Sequence, residues 1–208
     1  PFKPTLQSVV RMAFTAGLQA LASRGQTMEA IKTDSATLSR FLRGCHRGYD
    51  KAQQRIGTEV ISLQALIDTA ENERTRLRQI RDQDRVRIHE RITVLRNRQL
   101  ALRRLIDALL QVITNHDTWI LRRFLLDDRI RPVDTRVLHR TLEVAARRNS
   151  DSRMRFSLVG DLSTIVHIGD LVEISFEPNE RRWKVIELKE GRINEVLSGL
   201  LRDKPSGD

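Results

Sequence analysis

Cysteine is nearly absent from this 208-residue chain. Cys45 stands alone, which rules out an internal disulfide and fits a reducing compartment, with the cytoplasm as the expected location. Aromatic residues make up 4% of the sequence, too few for a platform that stacks the bases of a single strand. No apolar run is long enough to span a bilayer, and no signal peptide is seen. Lysine is scarce, six against 31 arginines. From Thr58 to Asp128 there is neither glycine nor proline, so that stretch reads as long helix. No Ser/His/Asp set, phosphate-binding glycine loop or zinc-ligand pair is visible; Cys45-His46 has no second ligand pair nearby and reads as structural.

Positive charge is what the chain has in excess. The net charge is +10, unevenly placed. Residues 1–150 hold 28 Lys/Arg against 16 Asp/Glu, and residues 151–208 hold 9 against 11. A basic surface attracts polyanions through phosphate contacts and counterion release. Eleven arginines fall within residues 74–104, and Arg81, Arg91 and Arg98 are the candidate nucleic-acid contacts there. The competing reading is a solvated helix whose acids, Asp82, Asp84 and Glu90, lie at pairing distance along it.

Apolar residues recur at 56, 60, 63, 67, 70 and 77 and again at 88, 95, 102, 105, 109 and 112, a heptad-like spacing. The same frame carries Arg74, Arg81, Asp84, Arg91 and Arg98. One continuous helix ending at Thr114 would be about 85 Å long. It is preferred, as a coiled coil joining two copies of the chain, over a helical hairpin folded near residues 72–84, because no turn-forming cluster marks a tip. Asp34 reads as the cap of a helix before Ala36, and Asp134 as the cap of a helix through about Arg148.

The most informative stretch is 163–189. Two β-rich segments, Leu171–Phe176 and Arg182–Lys189, flank Glu177-Pro178-Asn179-Glu180, a turn sequence. A turn centred between Pro178 and Asn179 makes the numbers of antiparallel partners sum to 357: Val172 faces Val185, Ile174 faces Trp183, and Asp170 comes opposite Glu187. Opposed carboxylates repel, so this pair needs a cation between them or a raised pKa, and a hard ion such as Mg²⁺ suits carboxylate oxygens. Lys189 shares the face of Glu187.

Asp170 followed by Glu187-Leu188-Lys189 on the next strand resembles the PD-(D/E)XK nuclease superfamily, over about residues 135–202. The resemblance implies an α-β-β-β-α-β core and divalent-metal (Mg²⁺ or Mn²⁺) cleavage of phosphodiesters. It implies that Asp170 and Glu187 hold the metal, that the Leu188 carbonyl adds a ligand, and that Lys189 positions the attacking water or offsets phosphate charge. Gly169 stands where the motif's proline would be. Glu143, on the preceding helix, is a further candidate acid, and Arg192, at the start of the helix read over Arg192–Arg202, a candidate phosphate contact.

The expected fold class is thus α+β. A mainly helical N-terminal two-thirds with a long coiled-coil-like helix precedes a small α/β restriction-endonuclease-like core whose last strand is not seen. The expected organisation is a helical cap over 1–56, a long helical region over 57–128 and a nuclease-like domain over 132–208. The expected function is a metal-dependent nuclease acting on DNA rather than RNA, dimeric and without a membrane partner. The alternative is a non-catalytic coiled-coil scaffold or nucleic-acid-binding protein.

Overall fold

The computed structural model describes residues 2–27, 29–76, 82–113, 132–151, 154–166, 169–175 and 183–188. Within these, the chain is mainly helical and ends in a small antiparallel sheet. The helices are α1 (Phe2–Ala22), α2 (Ala30–Thr33), α3 (Ser35–Arg76), α4 (Asp82–Ile113) and α5 (Thr135–Asp151). The strands are β1 (Arg155–Val159), β2 (Leu171–Ser175) and β3 (Trp183–Ile186), in the spatial order β1-β2-β3. A 3-10 turn, Gly160–Leu162, follows β1. No described helix is long and apolar enough to cross a membrane.

Both expected caps are present. The Asp34 carboxylate accepts the Ala36 and Thr37 amides at 3.0 and 3.1 Å, satisfying donors that the first turn of α3 leaves open. Asp134 does the same for Arg136 and Val137 at the start of α5. The α1 helix ends at a glycine with φ +65, Gly25, and the following Gln26 N–H reaches back to the Leu21 carbonyl.

The expectation of one continuous helix is corrected. α3 and α4 are separate helices that pack antiparallel within the chain, as their partners show, one number rising while the other falls: Gln64 with Gln99, Glu71 with Arg96, Glu73 with Arg91. The heptad reading found the buried residues of α3 and part of those of α4, and the wrong partner for both. Ile56, Val60, Leu63, Ile67 and Ala70 are all buried on α3. On α4 the buried line is Ile88, Ile92, Leu95, Gln99, Leu102, Ile106 and Leu109. It runs one residue out of phase with the frame of Asp84, Arg91 and Arg98, so those charges lie exposed beside the seam and not in it. A homodimer through these faces would require the hairpin to open. The link between the two helices, residues 77–81, lies outside the described residues.

One hydrophobic cluster joins the parts of the chain: Val9 of α1, Ile56 of α3, Ile106 of α4, Leu138 of α5, and Phe156 and Val172 of the sheet. α3 also runs uninterrupted across residues 56 and 57, where a boundary between a cap and a long helical region was expected. α1 crosses α3 where two glycines meet: a Cβ on Gly44 would lie 2.8 Å from the Ala16 carbonyl oxygen and 3.0 Å from the Gly17 Cα. Residues 37–44 are early turns of α3, and their Gly44 is taken up by this crossing.

α3 also positions the sheet. His46 Nε2 contacts the Arg155 carbonyl oxygen at 2.6 Å, the Gln53 amide donates to the Ser157 carbonyl at 3.0 Å, and the Val159 N–H donates to Gln53 Oε1 at 2.9 Å. The His46 ring meets Phe156 edge-on at 5.4 Å. These bonds give His46 a structural use. Burial pushes the neighbouring Cys45 thiol up, and that of Tyr49, packed on Phe156, drives its phenol to about 12.

Candidate functional site

β2 and β3 pair on the expected register. Leu171 faces Ile186, Val172 faces Val185, Glu173 faces Lys184 and Ile174 faces Trp183. Every pair sums to 357. β2 is buried on both faces, with Val172 and Ile174 in the hydrophobic cluster and Glu173 held by Arg148, so a one-residue slip would exchange the apolar and charged sides of the strand.

At the head of the hairpin the backbone leaves that line by one residue. The Asp170 N–H donates to the Ile186 carbonyl at 2.9 Å, and the Asp170 carbonyl accepts the Gly160 N–H at 2.8 Å. Asp170 Oδ2 then accepts the Leu188 N–H at 2.5 Å. The carboxylate therefore clasps the backbone just beyond β3, beside exposed Glu187 and half-buried Leu188. Gly169 makes the approach feasible. Its φ is +64, and a Cβ there would press on Val185 and lie 3.1 Å from the Ile186 carbonyl oxygen. Proline, locked near φ −65°, cannot take this conformation.

Of the remaining expected site residues, Glu143 is exposed on α5 and pairs with His139 one turn earlier at 3.4 Å, the surface ion-pair arrangement. Arg91 and Arg98 are exposed on α4, with Arg91 3.7 Å from Glu73. Lys189, Arg81 and Arg192 lie outside the described residues. Asp161, whose Gly-Asp-Leu context repeats that of Asp170, sits in the 3-10 turn and acts electrostatically on Arg103.

Two buried charge clusters were not found in the sequence. Arg148 donates through Nε and a terminal nitrogen to Glu173 Oε2 at 3.1 and 2.6 Å, tying α5 to the middle of β2; the glutamate side chain is 6% exposed. On α4, Asp107 accepts the Ser163 hydroxyl at 2.5 Å and the Thr164 N–H at 2.8 Å, and also bonds the Thr164 hydroxyl. One turn away Arg103 donates to the Ser163 carbonyl at 2.7 Å. Burial pulls the Arg103 guanidinium below its ordinary pKa, and Asp107 and Asp161 oppose that shift. Ser163 Oγ in turn accepts the Ile165 and Val166 amides. Together these bonds pin the β1–β2 connection, which leads to Asp170, onto α4.

No family model, no curated protein and no solved structure matches this chain. The arrangement of its own residues therefore carries the functional argument. A metal at the hairpin head would draw on the Asp170 and Glu187 carboxylates and the Leu188 carbonyl. This donor set is all oxygen, and two carboxylates with added waters is the usual complement for Mg²⁺. The Asp170 oxygen not bonded to Leu188 remains to serve it. Among the described residues no group of three or more His, Cys, Asp or Glu side chains is placed to hold a metal.

Proposed function

We propose that this protein is a metal-dependent nuclease, with Asp170, Glu187 and Lys189 as its working residues. The observation that carries the reading is the helix followed by three antiparallel strands, β2 and β3 pairing on the register deduced from the turn, with Glu187 directly after β3 and Asp170 directly before β2, one residue off that register and so not opposite Glu187 as expected. This element order and motif placement support a likeness to the PD-(D/E)XK superfamily. The Asp170 and Glu187 carboxylates and the Leu188 carbonyl would hold Mg²⁺ or Mn²⁺. That ion would offset charge on the scissile phosphate. Lys189 would orient water or neutralise a phosphate oxygen. Arg148 and Glu173, outside the reacting set, would fix α5 against β2 and so hold Asp170 in place.

The test is cleavage of DNA and RNA panels with Mg²⁺ or Mn²⁺, comparing wild type with Asp170→Asn, Glu187→Gln and Lys189→Ala. Asparagine keeps an oxygen for the Leu188 N–H, so loss of activity would not be loss of the hairpin. Each of the first two changes is expected to lower the rate by about 10²-fold or more, equivalent to several kcal/mol of transition-state charge stabilisation. Mn²⁺ binding, read separately, should weaken in both. Cleavage that persists in EDTA or in these variants would reject the reading.

A second reading is a nucleic-acid-binding module without catalysis. The Asp170–Leu188 bond favours it, since a carboxylate that closes a hairpin has a structural use without a metal.

A further inference from the structure

α3 carries a basic stripe that none of the motif residues includes. Arg40, Arg43, Arg47, Lys51 and Arg55 recur every three or four residues, which on a helix of 3.6 residues per turn confines them to an arc of about 120°. The stripe is about 22 Å long. Arg43, Arg47, Lys51 and Arg55 are exposed, and Arg40 is half-buried beside Gln26. The His46 and Gln53 side chains, which hold β1, leave α3 on its other side.

Charge balance distinguishes this face from the rest of the molecule. Residues 35–58 hold five Lys/Arg and one acid, Asp50, which is bonded to Asn149. Arg55 pairs with Glu59 at the far end. Among the described residues no carboxylate pairs with Arg43, Arg47 or Lys51. On α4, by contrast, Arg91 and Arg96 meet Glu73 and Glu71 across the hairpin. Lys51 also lines one groove together with Arg11 of α1, which adds a sixth cation beside the stripe.

We propose that this face of α3 is a docking stripe for the phosphate backbone of duplex DNA. A row of cations on one rigid helix, of which Arg43, Arg47 and Lys51 meet no carboxylate among the described residues, complements a rigid row of phosphates. Single strands fit less well, because binding them relies on exposed aromatic rings, and Tyr49, on the same helix, is packed on Phe156. The choice of DNA over other polyanions rests on the nuclease reading; the stripe itself does not.

The test measures binding in EDTA, where no cleavage can contribute, of the whole chain to a mixed-sequence DNA duplex of about 24 base pairs across 50–200 mM salt. Each phosphate contact contributes about 0.9 to the log–log salt slope, so Arg43→Ala/Arg47→Ala/Lys51→Ala is expected to flatten it by about 3 and weaken binding on the order of 100-fold at 100 mM salt. Arg43→Lys/Arg47→Lys should retain most of the slope. A scattered triple with the same charge change, Arg24→Ala/Arg87→Ala/Arg136→Ala, should flatten it by less than about 1. Equal losses in the two alanine triples would overturn the proposal, because net charge and not the stripe would then be responsible. Tighter binding to duplex RNA, or binding to anionic lipid vesicles without affinity for DNA, would overturn it too. Intact binding by Asp170→Asn, with cleavage absent from the wild type as well, would sink the nuclease reading and leave the stripe standing; cleavage unchanged by the stripe triple, with unchanged affinity, would do the reverse.

Discussion

The two halves of α3 handle charge in opposite ways. Residues 35–58 carry five cations and one acid, and the acid is bonded to Asn149. Residues 59–76 carry four acids and two arginines. The acidic half lies against α4, whose residues 82–113 hold seven arginines and four acids, and Glu71 and Glu73 bond arginines there. The basic half packs through glycine and alanine against α1 and through His46 and Gln53 against β1, and among the described residues neither neighbour offers carboxylates to the stripe. An arginine count alone therefore does not show where positive charge is left without carboxylate partners. The eleven arginines of residues 74–104 are the denser cluster, yet part of that cluster is answered within the fold.

The largest expected effect tests the answered side where it is buried. Asp107→Ala takes from Arg103 the stronger of the two acids that act on it, leaving Asp161, and strips partners from Ser163 and Thr164. Removing one member of such a cluster should cost about 3–5 kcal/mol, read as a fall in Tm on the order of 10 °C. Next comes Gln99→Ala, which removes a buried amide bonded to Gln64 and the Val60 carbonyl; a loss of about 1–3 kcal/mol in chemical denaturation is expected. The exposed pairs should matter less. Glu71→Ala/Glu73→Ala is expected to cost about 1 kcal/mol or less and to become neutral at high salt, since the arginine partners face solvent. Should that double variant instead gain DNA affinity comparable to the stripe's, the contrast between the two halves would be broken. The stripe triple should shift stability by less than about 0.5 kcal/mol.

The smallest effect concerns pH. The Thr37 hydroxyl and the Ala36 amide hold the Asp34 carboxyl below the usual carboxylate range. A depressed folded pKa gives a contribution present above the unfolded value near 3.8 and lost as pH falls through the folded one. Hydrogen exchange at Ala36 and Thr37 should thus keep its protection relative to the rest of α3 from pH 7 to 5, and lose it only below about pH 4. In Asp34→Ala the same amides should exchange fast at every pH.

Features with local causes were legible in the sequence. The caps at Asp34 and Asp134 follow from side-chain chemistry one turn long, and the 357 register from a turn centred between Pro178 and Asn179. The buried line on α3 was legible as a period, and on α4 only Ile88, Leu95, Leu102 and Leu109 of it, without Ile92, Gln99 and Ile106. Their partner was not, because heptad spacing gives the width of an apolar face and not what covers it. The phase step from the frame of Arg91 and Arg98 to that of Ile92 and Gln99 was the available sign that two helices, not one, were present. The pairing of Glu173 with Arg148 spans 25 positions, and that of Asp107 with Ser163 and Thr164 spans 56 and 57; no periodicity reports such contacts. At the candidate site, the sequence placed Asp170 by strand register, but its bond to the Leu188 N–H depends on the one-residue departure made at Gly169.

Gln53 also sets an order of events during synthesis. Both ends of its amide are satisfied by the backbone of β1, at Ser157 and Val159, 104 and 106 residues later. At roughly 5–20 residues per second a ribosome needs on the order of 5–20 s to supply them. Until then the Gln53 amide has only water to bond. A chain interrupted before β1 would also leave the apolar residues beside Gln53, Ala52 and Ile56, without the cover of Phe156 and Leu158, and such uncovered apolar surface is what chaperones bind.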